Sequence, residues 1–94
     1  MKSKRKSEYY VYMVRCKGGS LYTGSTNDVE TRVRVHNEGK GAKYTRSRRP
    51  VELVYVEKCA FRNDALKREC AIKKLSRKRK RELIRTNSDL FKTK

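Results

Sequence analysis

Apolar residues are concentrated in short runs along the chain, and these runs predict three strands. The run Glu8–Cys16 is apolar and aromatic almost throughout, which is typical of a central strand with both faces buried. The pair Gly18-Gly19 indicates a tight turn, after which Leu21–Ser25 is predicted to return as the second arm of an antiparallel hairpin. A further run, Val51–Lys58, predicts the third strand.

Helical periodicity separates and follows these strands. Three helices are predicted, each with a polar N-cap residue: 28–37 after Asn27, 64–75 after Asn63, and 77–85 after Ser76. The segment Gly39–Pro50 is predicted to be a long basic loop, and loops of this length are often functional. The order β-β-α-β-α-α predicts one α+β domain, a small three-stranded antiparallel sheet flanked by helices. We expect this domain at residues 9–85, with a basic tail at 1–8 and a second tail at 86–94.

The net charge narrows the classes of partner. The chain has 27 Lys and Arg against 10 Asp and Glu, a formal net charge of +17. Repulsion on this scale destabilises a compact state unless a polyanion relieves it, so nucleic acid is the leading expected partner, ahead of an anionic membrane surface. Charge alone provides affinity for phosphates without sequence preference. It therefore leaves an enzyme, a ribosome-type binding protein and a chromatin-like protein open.

Cysteine usage and the N-terminal residues predict a cytoplasmic protein. The three cysteines, Cys16, Cys59 and Cys70, are odd in number and form no C-x-x-C pair, which argues against a disulfide framework and a cysteine zinc site. Reduced, partly buried thiols are expected instead. Met1–Ser7 is basic but is not followed by the apolar region of a secretory signal. No apolar stretch approaches the roughly 20 residues that span a bilayer, so no membrane partner is predicted.

Glu69 interrupts the apolar side of the helix predicted over 64–75. The apolar positions of that side are Ala65, Leu66, Cys70, Ile72 and Leu75. At about 100° per residue, Glu69 falls near their centre. Because an unpaired carboxylate under apolar residues is strongly unfavourable, Glu69 requires a partner or a shifted pKa. Two interpretations are open: a buried salt bridge to one of the basic residues, or a metal-binding or catalytic carboxylate.

The first predicted helix also has polar residues on or beside its apolar face. Val29, Val33 and His36 share one face of this helix, and Arg32 borders that face four residues before His36. One interpretation is a histidine at the edge of the core beside a surface cation. The other is a phosphate-binding pair, since arginine and histidine at i and i+4 then point inward on a basic protein.

Tyrosine is the dominant aromatic residue, with six Tyr, two Phe and no Trp. Tyr12 and Tyr22 lie on opposite arms of the predicted hairpin, each a few residues from its turn, so their rings could approach one another across the ladder. Tyrosine also packs well in strands. The spacing by itself therefore assigns no chemistry to these two residues.

Taken together, these residues resemble the GIY-YIG nuclease superfamily, and in particular its small stand-alone bacterial members, the YhbQ-like uncharacterised protein family. The resemblance extends over about residues 9–83 and is carried by Val11-Tyr12-Met13, Tyr22-Thr23-Gly24, Arg32, His36, Glu69 and the loop Gly39–Thr45. Of the two triplets that give the family its name, only the tyrosines and one glycine are present in this chain. Some members have a second histidine where this loop offers Tyr44 and Thr45, and Asn87 is the only candidate for their late asparagine.

The resemblance implies a metal-dependent endonuclease acting on DNA, with roles for five catalytic residues. Glu69 would hold Mg²⁺ (or Mn²⁺), with the nucleic-acid phosphate completing the coordination. Arg32 would stabilise charge on the scissile phosphate. Tyr12 or Tyr22 would accept a proton from the attacking water, and His36 would relay protons or orient that tyrosine. A single-metal phosphodiesterase is the implied reaction class.

Basic residues in the loop and in the stretch Lys73–Arg81 are predicted to bind the nucleic-acid backbone: Lys40, Lys43, Arg46, Arg48, Arg49, Lys73, Lys74 and Arg77. We expect weak sequence preference, DNA favoured over RNA, and specificity that comes from nucleic-acid shape or a protein partner. A monomer or weak dimer is expected. Two alternatives stay open: a non-catalytic nucleic-acid-binding module on the same fold, and an RNA-processing or ribosome-associated role.

Overall fold

A three-stranded antiparallel sheet forms the centre of the fold. The computed structural model describes residues 8–92, with side chains described for residues 8–86. The strands are β1 (Tyr9–Arg15), β2 (Leu21–Thr26) and β3 (Glu52–Cys59), in the sheet order β2-β1-β3. The central position of β1 confirms the prediction from its unbroken apolar run. Gly18 and Gly19 both have positive φ in the β1–β2 turn, as the hairpin prediction required.

Within residues 8–92, four helices surround the sheet: α1 (Val29–Asn37), α2 (Lys43–Arg46), α3 (Arg62–Lys73) and α4 (Arg77–Lys92). The predicted α+β fold class is confirmed, and the predicted order is correct except for α2. That short helix lies inside the segment predicted to be a loop. Buried Thr45 anchors it to His36 of α1, and local sequence signals do not indicate such a tertiary contact. The prediction that α4 ends at about Arg85 is wrong. No glycine or proline interrupts residues 86–92, and the helix continues to Lys92.

The helix caps differ from the prediction in two places. Asp28, not Asn27, caps α1, because its carboxylate accepts bonds from both the amide and the hydroxyl of Thr31. Helix α3 begins at Arg62, so Asn63 lies in its first turn and is not its cap. Ser76 caps α4 as predicted, since its hydroxyl accepts the Arg79 amide proton at 3.2 Å.

Both faces of the sheet are covered by apolar side chains. On one face, Val11 and Met13 pack with Tyr55, Ala65 and Ile72 in the larger cluster, against α3 and α4. On the other face lies a second buried cluster, Tyr12, Val14, Cys16 and Val51, with Val33 of α1 packed against it. Because side chains alternate along β1, consecutive residues of this one strand enter the two clusters in turn.

Helix α3 buries a narrower stripe than its sequence suggested. Ala65 and Ile72 are fully buried, but Leu66 is 40% exposed and Cys70 is exposed, so the prediction of one broad apolar side is wrong. The helix touches the sheet along a single line, and positions i, i+4 and i+7 define that line. Glu69 occupies the i+4 position. It therefore lies on the contact line itself, between the two buried apolar residues.

The remaining predictions concern the cysteines, membrane-spanning helices and the two ends of the chain. All three cysteines are free thiols; Cys16 is buried, Cys59 is half-buried and Cys70 is exposed, which corrects the expectation of three partly buried thiols. Within the described range, no helix is long and apolar enough to cross a membrane. Residues 1–7 of the predicted basic tail and residues 93–94 lie outside the described residues. The division into a domain at 9–85 and two tails stays a prediction.

Candidate active site

His36 occupies the centre of the candidate site and is fully buried. Its Nε2 lies 2.8 Å from Tyr12 Oη, and its Nδ1 lies 2.8 Å from Thr45 Oγ1. The Thr45 hydroxyl donates its single proton to the carbonyl oxygen of Ala42 at 3.0 Å, so it accepts a proton at Nδ1. The neutral imidazole is therefore protonated on Nδ1. Its Nε2 accepts the hydrogen bond that the Tyr12 phenol donates.

Two glycines allow the backbone to approach these rings closely. A Cβ at Gly24 would lie 2.7 Å from Tyr12 Oη, because Gly24 pairs directly with Tyr12 across the β1–β2 ladder and the ring crosses above it. A Cβ at Gly41 would collide with the His36 ring, lying 2.9 Å from Cε1. Each glycine thus keeps open the space that one of the two hydrogen-bonded rings occupies.

The two tyrosines lie on the same face of the hairpin, on either side of the imidazole. Tyr22 pairs with Val14 and is the diagonal neighbour of Tyr12. The centroid of its ring is 5.3 Å from that of His36 in an edge-on arrangement, and the Tyr12 centroid is 6.0 Å from that of His36. The hairpin therefore brings both rings to one imidazole. Tyr22 also stacks on Tyr44, with centroids 5.9 Å apart, and so connects the buried histidine to the exposed loop.

Burial controls the protonation of the phenol and imidazole at the centre. Burial raises the pKa of Tyr12 to about 12; Arg32 lowers it through a side-chain interaction, and the charges of Tyr22 and Glu69 raise it. Burial also lowers the pKa of His36 below its ordinary value, and the positive charge of Arg32 lowers it further. Both groups are therefore neutral at neutral pH. Arg32 of α1 and Glu69 of α3 act electrostatically on the same phenol.

The Glu69 carboxylate is held on both oxygens. Its side chain is 17% exposed, Oε1 accepts the Ser25 hydroxyl proton at 2.7 Å, and Oε2 pairs with the Lys73 ammonium at 2.9 Å. The bond to Glu69 raises the pKa of Lys73. Of the two interpretations drawn from the sequence, the salt bridge is present, and the metal-binding or catalytic role stays a prediction. The carboxylate lies against β2, near enough to Tyr12 to act electrostatically on its phenol.

The donor set around Glu69 fits a hard divalent cation held by one protein ligand. Among the residues that the structure describes, no group of three or more His, Cys, Asp or Glu could enclose a metal ion. The Glu69 carboxylate, oriented by Ser25 and accessible on one side, is nevertheless a suitable anchor once the Lys73 ammonium leaves it. Mg²⁺ commonly keeps several waters and takes one carboxylate together with substrate phosphates.

Thr45, Ser25 and Gly41 complete the site without having been assigned roles from the sequence. Thr45 and Gly41 lie in a polar, glycine-containing stretch that has no periodicity, so nothing in the pattern indicates that Thr45 is fully buried. Ser25 lies at the end of a strand, where a polar residue is ordinary. The hydroxyl groups of Thr45 and Ser25 became meaningful only when the elements were packed together, and the family resemblance of the loop Gly39–Thr45 was the one signal that the sequence offered for Thr45 and Gly41.

The eight predicted backbone-binding residues are all exposed. Arg48 lies 4.0 Å above the Tyr44 ring and donates to the Tyr44 carbonyl oxygen, and Arg49 donates to the carbonyl oxygen of Arg46. Lys73 differs from the others because it pairs with Glu69. A pocket of about 310 Å³ beside the tyrosine stack is lined by Ser20, Leu21, Tyr44, Arg77 and Lys80. Asn87 lies where side chains are not described.

We expect Thr45→Val to destabilise the protein by about 1–3 kcal/mol, because the Nδ1–H of buried His36 loses its acceptor. Urea unfolding followed by far-UV circular dichroism measures this change. Thr86→Val is the matched control, since Thr86 is exposed and its hydroxyl donates to the Leu83 carbonyl oxygen. The control should change the free energy of unfolding by less than about 0.5 kcal/mol. Equal effects of the two substitutions would contradict the assigned hydrogen bond.

The fold and the site together define a small α+β domain with a buried tyrosine–histidine pair beside the sheet and a paired carboxylate on α3. The protein-family model described as the GIY-YIG catalytic domain matches residues 8–82, and the chain therefore belongs to the GIY-YIG family. This membership confirms the resemblance drawn from the tyrosines, the helical Arg and His, and the later Glu. It implies nuclease activity in general, a nucleic-acid substrate, and the dependence on divalent metal that is typical of this family.

Relatives with similar sequences and structures support the same assignment. The UPF0213 protein SSP2268 of Staphylococcus saprophyticus is 54% identical over 77 residues, which are 82% of this chain and 94% of that protein. The UPF0213 protein HQ_3675A of Haloquadratum walsbyi is 52% identical over 82 residues, covering 87% and 92% of the two chains. The solution structure of the UPF0213 protein BH0048 of Bacillus halodurans has a TM-score of 0.57, with 43% identity and 86% of each chain covered.

Proposed function

We propose that this chain is an endonuclease that hydrolyses phosphodiester bonds of DNA with the help of Mg²⁺ or Mn²⁺. The observation that carries the proposal is the His36 imidazole, whose proton-accepting Nε2 contacts the buried Tyr12 phenol. Arg32 and Glu69 act electrostatically on that phenol. A proton acceptor, a cation and a carboxylate thus act on one phenol, a combination that supports hydrolysis of a phosphodiester.

In the proposed mechanism, Tyr12 transfers a proton rather than acting as a free phenolate. With a pKa of about 12, a phenolate is scarce at neutral pH. The phenol oxygen accepts a proton from the attacking water while its own proton passes to His36 Nε2. Thr45 supports this direction of transfer, since it keeps the other imidazole nitrogen protonated. Tyr22 borders the imidazole, with its ring centroid 5.3 Å from that of His36.

The negative charge that develops on the phosphate requires nearby positive charge. Arg32 is the arginine of the site and would contact the phosphate oxygens in the transition state. Glu69 would hold the divalent cation, which supplies further positive charge to the phosphate when bound. Ser25 would keep the carboxylate oriented through its 2.7 Å hydrogen bond.

Exposed basic residues would bind the rest of the substrate. Arg48 and Arg49 extend from the segment after α2, and Arg77 lines the pocket beside Tyr44. Contacts of this kind bind phosphates without reading bases. We therefore propose weak sequence preference, with specificity that comes from nucleic-acid shape or a protein partner. A preference for DNA over RNA, a cytoplasmic location and a monomer or weak dimer are part of the same proposal.

A second candidate function is a non-catalytic nucleic-acid-binding module. It is favoured by one observation: both oxygens of Glu69 already have partners within residues 8–86, as in a purely structural ion pair. This alternative predicts binding that weakens with salt, is insensitive to metal ions, and is not followed by turnover.

Purified protein should be incubated with branched, flapped, single-stranded and duplex DNA, with Mg²⁺, Mn²⁺ or a chelator. We expect strand cleavage with either metal, and binding without cleavage in the chelator. Parallel incubations with RNA of the same sequences test the preference for DNA. The absence of turnover on every substrate, together with metal-independent binding, would favour the second candidate.

Cleavage should have an acidic limb that His36 determines. Only neutral His36 accepts a proton, and burial lowers its pKa below the ordinary value of about 6.5. The value of kcat/KM should therefore be level above about pH 6.5 and fall about tenfold per pH unit below the pKa of the folded protein. His36→Gln should remove this limb and leave a low residual rate. A rate that rises steadily to pH 9 would contradict the proposed role of His36.

A further inference from the structure

Lys73 has a different position from the other predicted backbone-binding lysines. It follows Glu69 by four residues on α3, and its ammonium lies 2.9 Å from Glu69 Oε2. The neighbouring Lys74 is exposed at the C-cap of the same helix. The two residues carry the same charge on adjacent positions. Lys73 is the one paired with the carboxylate proposed to hold metal.

The two sides of this ion pair differ in exposure. The Glu69 side chain is only 17% exposed and is oriented by Ser25, whereas the Lys73 side chain is 52% exposed. The carboxylate is therefore held in place, and the ammonium can leave it for solvent. A divalent cation would compete with the ammonium for this carboxylate, because both are attracted to its one negative charge.

We propose that Lys73 is an exchangeable counter-ion of Glu69, which occupies Oε2 until a divalent cation displaces it and then contacts a phosphate of the bound nucleic acid. The proposal rests on the metal-holding role of Glu69 given above. Without metal, the pair neutralises a largely buried carboxylate. With metal, one more cation becomes available to the substrate. Metal binding and phosphate binding are thereby coupled through one side chain.

Metal binding without nucleic acid tests the first half of this proposal. Mn²⁺ is titrated into ¹⁵N-labelled protein, and the paramagnetic broadening of the amide signals of residues 24–26 is followed. Removing the competing ammonium in Lys73→Met should lower the Mn²⁺ concentration at half-broadening about three- to fivefold, the range expected for one partly exposed ion pair. Lys73→Gln is a second variant with the same expected result.

Two controls separate the failure of this inference from the failure of the proposed function. Lys74→Met removes the same charge from the adjacent position and should change the midpoint less than twofold, an order-of-magnitude limit for screened surface charges. Glu69→Gln should abolish the broadening. If Glu69→Gln leaves the broadening intact, the metal role of Glu69 and this inference both fail. If it abolishes the broadening while Lys73→Met behaves like Lys74→Met, only the exchange of Lys73 is overturned.

DNA affinity tests the second half. Binding of a fluorescent oligonucleotide is measured by anisotropy in Ca²⁺, another hard cation with oxygen ligands, and in a chelator. In the chelator, Lys73 stays paired with Glu69 and has no additional phosphate contact to lose. Lys73→Met and Lys74→Met should therefore weaken DNA binding equally, since each removes one positive charge. In Ca²⁺, Lys73→Met should weaken binding about threefold more than Lys74→Met, as expected for one additional phosphate contact. If the two variants lose equal DNA affinity in Ca²⁺ as well as in the chelator, Lys73 does not move from Glu69 to a phosphate and this half of the proposal is overturned.

Discussion

Replacing Glu69 with glutamine is expected to reduce DNA cleavage by about 10³-fold and to leave DNA binding intact or slightly stronger. A bound divalent cation contributes several kcal/mol of transition-state stabilisation, and a neutral amide is a poor ligand for a hard cation. The same change removes a negative charge from a surface that attracts phosphates. Glutamine keeps the size of the side chain, and its amide oxygen can still accept the Ser25 hydroxyl proton.

Single-turnover cleavage and anisotropy measure the two halves of this result. Glu52→Gln is the matched control, because Glu52 lies on β3, its side chain is 73% exposed, and its partner is the exposed Arg15. It should cleave within about twofold of the wild type, as expected for a surface substitution outside the site. If Glu69→Gln cleaves as fast as the control, the carboxylate has no part in the chemistry, or a contaminating nuclease produced the cleavage.

The second large effect is expected from Gly24→Ala. The new Cβ would lie 2.7 Å from Tyr12 Oη and 2.9 Å from its Cζ, so the Tyr12 ring must move. Tyr12 is buried in the cluster with Val14, and overpacking of a core of this kind costs about 1–3 kcal/mol. Displacement of the ring also breaks the hydrogen bond to His36. We therefore expect lower stability together with a loss of cleavage of about 10²-fold or more, the usual contribution of general acid–base catalysis.

Urea unfolding of a double-mutant cycle with Tyr12→Phe separates this collision from a general effect of alanine in the strand. Phenylalanine lacks the hydroxyl that the new methyl group meets first. Gly24→Ala should therefore destabilise the Tyr12→Phe protein less than the wild type, with a coupling energy of about 0.5–3 kcal/mol. An unchanged cost in the Tyr12→Phe background would show that close approach to the phenol is not the reason for a glycine at this position.

The fold could be predicted from the sequence because its elements have strong local signals. An unbroken apolar run identified β1 as the central strand, and adjacent glycines identified the hairpin turn. The same local rules placed Glu69 on the inner side of α3, since a carboxylate between Ala65 and Ile72 departs from the apolar period. They were wrong where local signals compete. Asn27 and Asp28 are both good cap residues, and only the bonds to Thr31 select Asp28.

The site was predicted less completely, because its hydrogen bonds join segments that are distant in the chain. Thr45 reaches His36 across nine residues, and Ser25 reaches Glu69 across 44. A threonine in a basic loop and a serine at a strand end carry no pattern that indicates burial. The roles of Tyr12 and Tyr22 were left undivided for the same reason. The structure distinguishes the surroundings of the two tyrosines, since Tyr12 donates to His36 and Tyr22 stacks on Tyr44.

By itself, the sequence determined the family and, apart from α2, the order of strands and helices. These features depend on local periodicity and on motif residues in a set order. Tertiary structure decided which atoms meet. The tautomer of His36 depends on a threonine that is buried only when α2 packs on α1. The partner of Glu69 was selected by helix geometry from many cations of equal charge. Net charge and hydrophobic periodicity do not specify which atoms come into contact, whereas hydrogen bonds require particular atoms at particular distances.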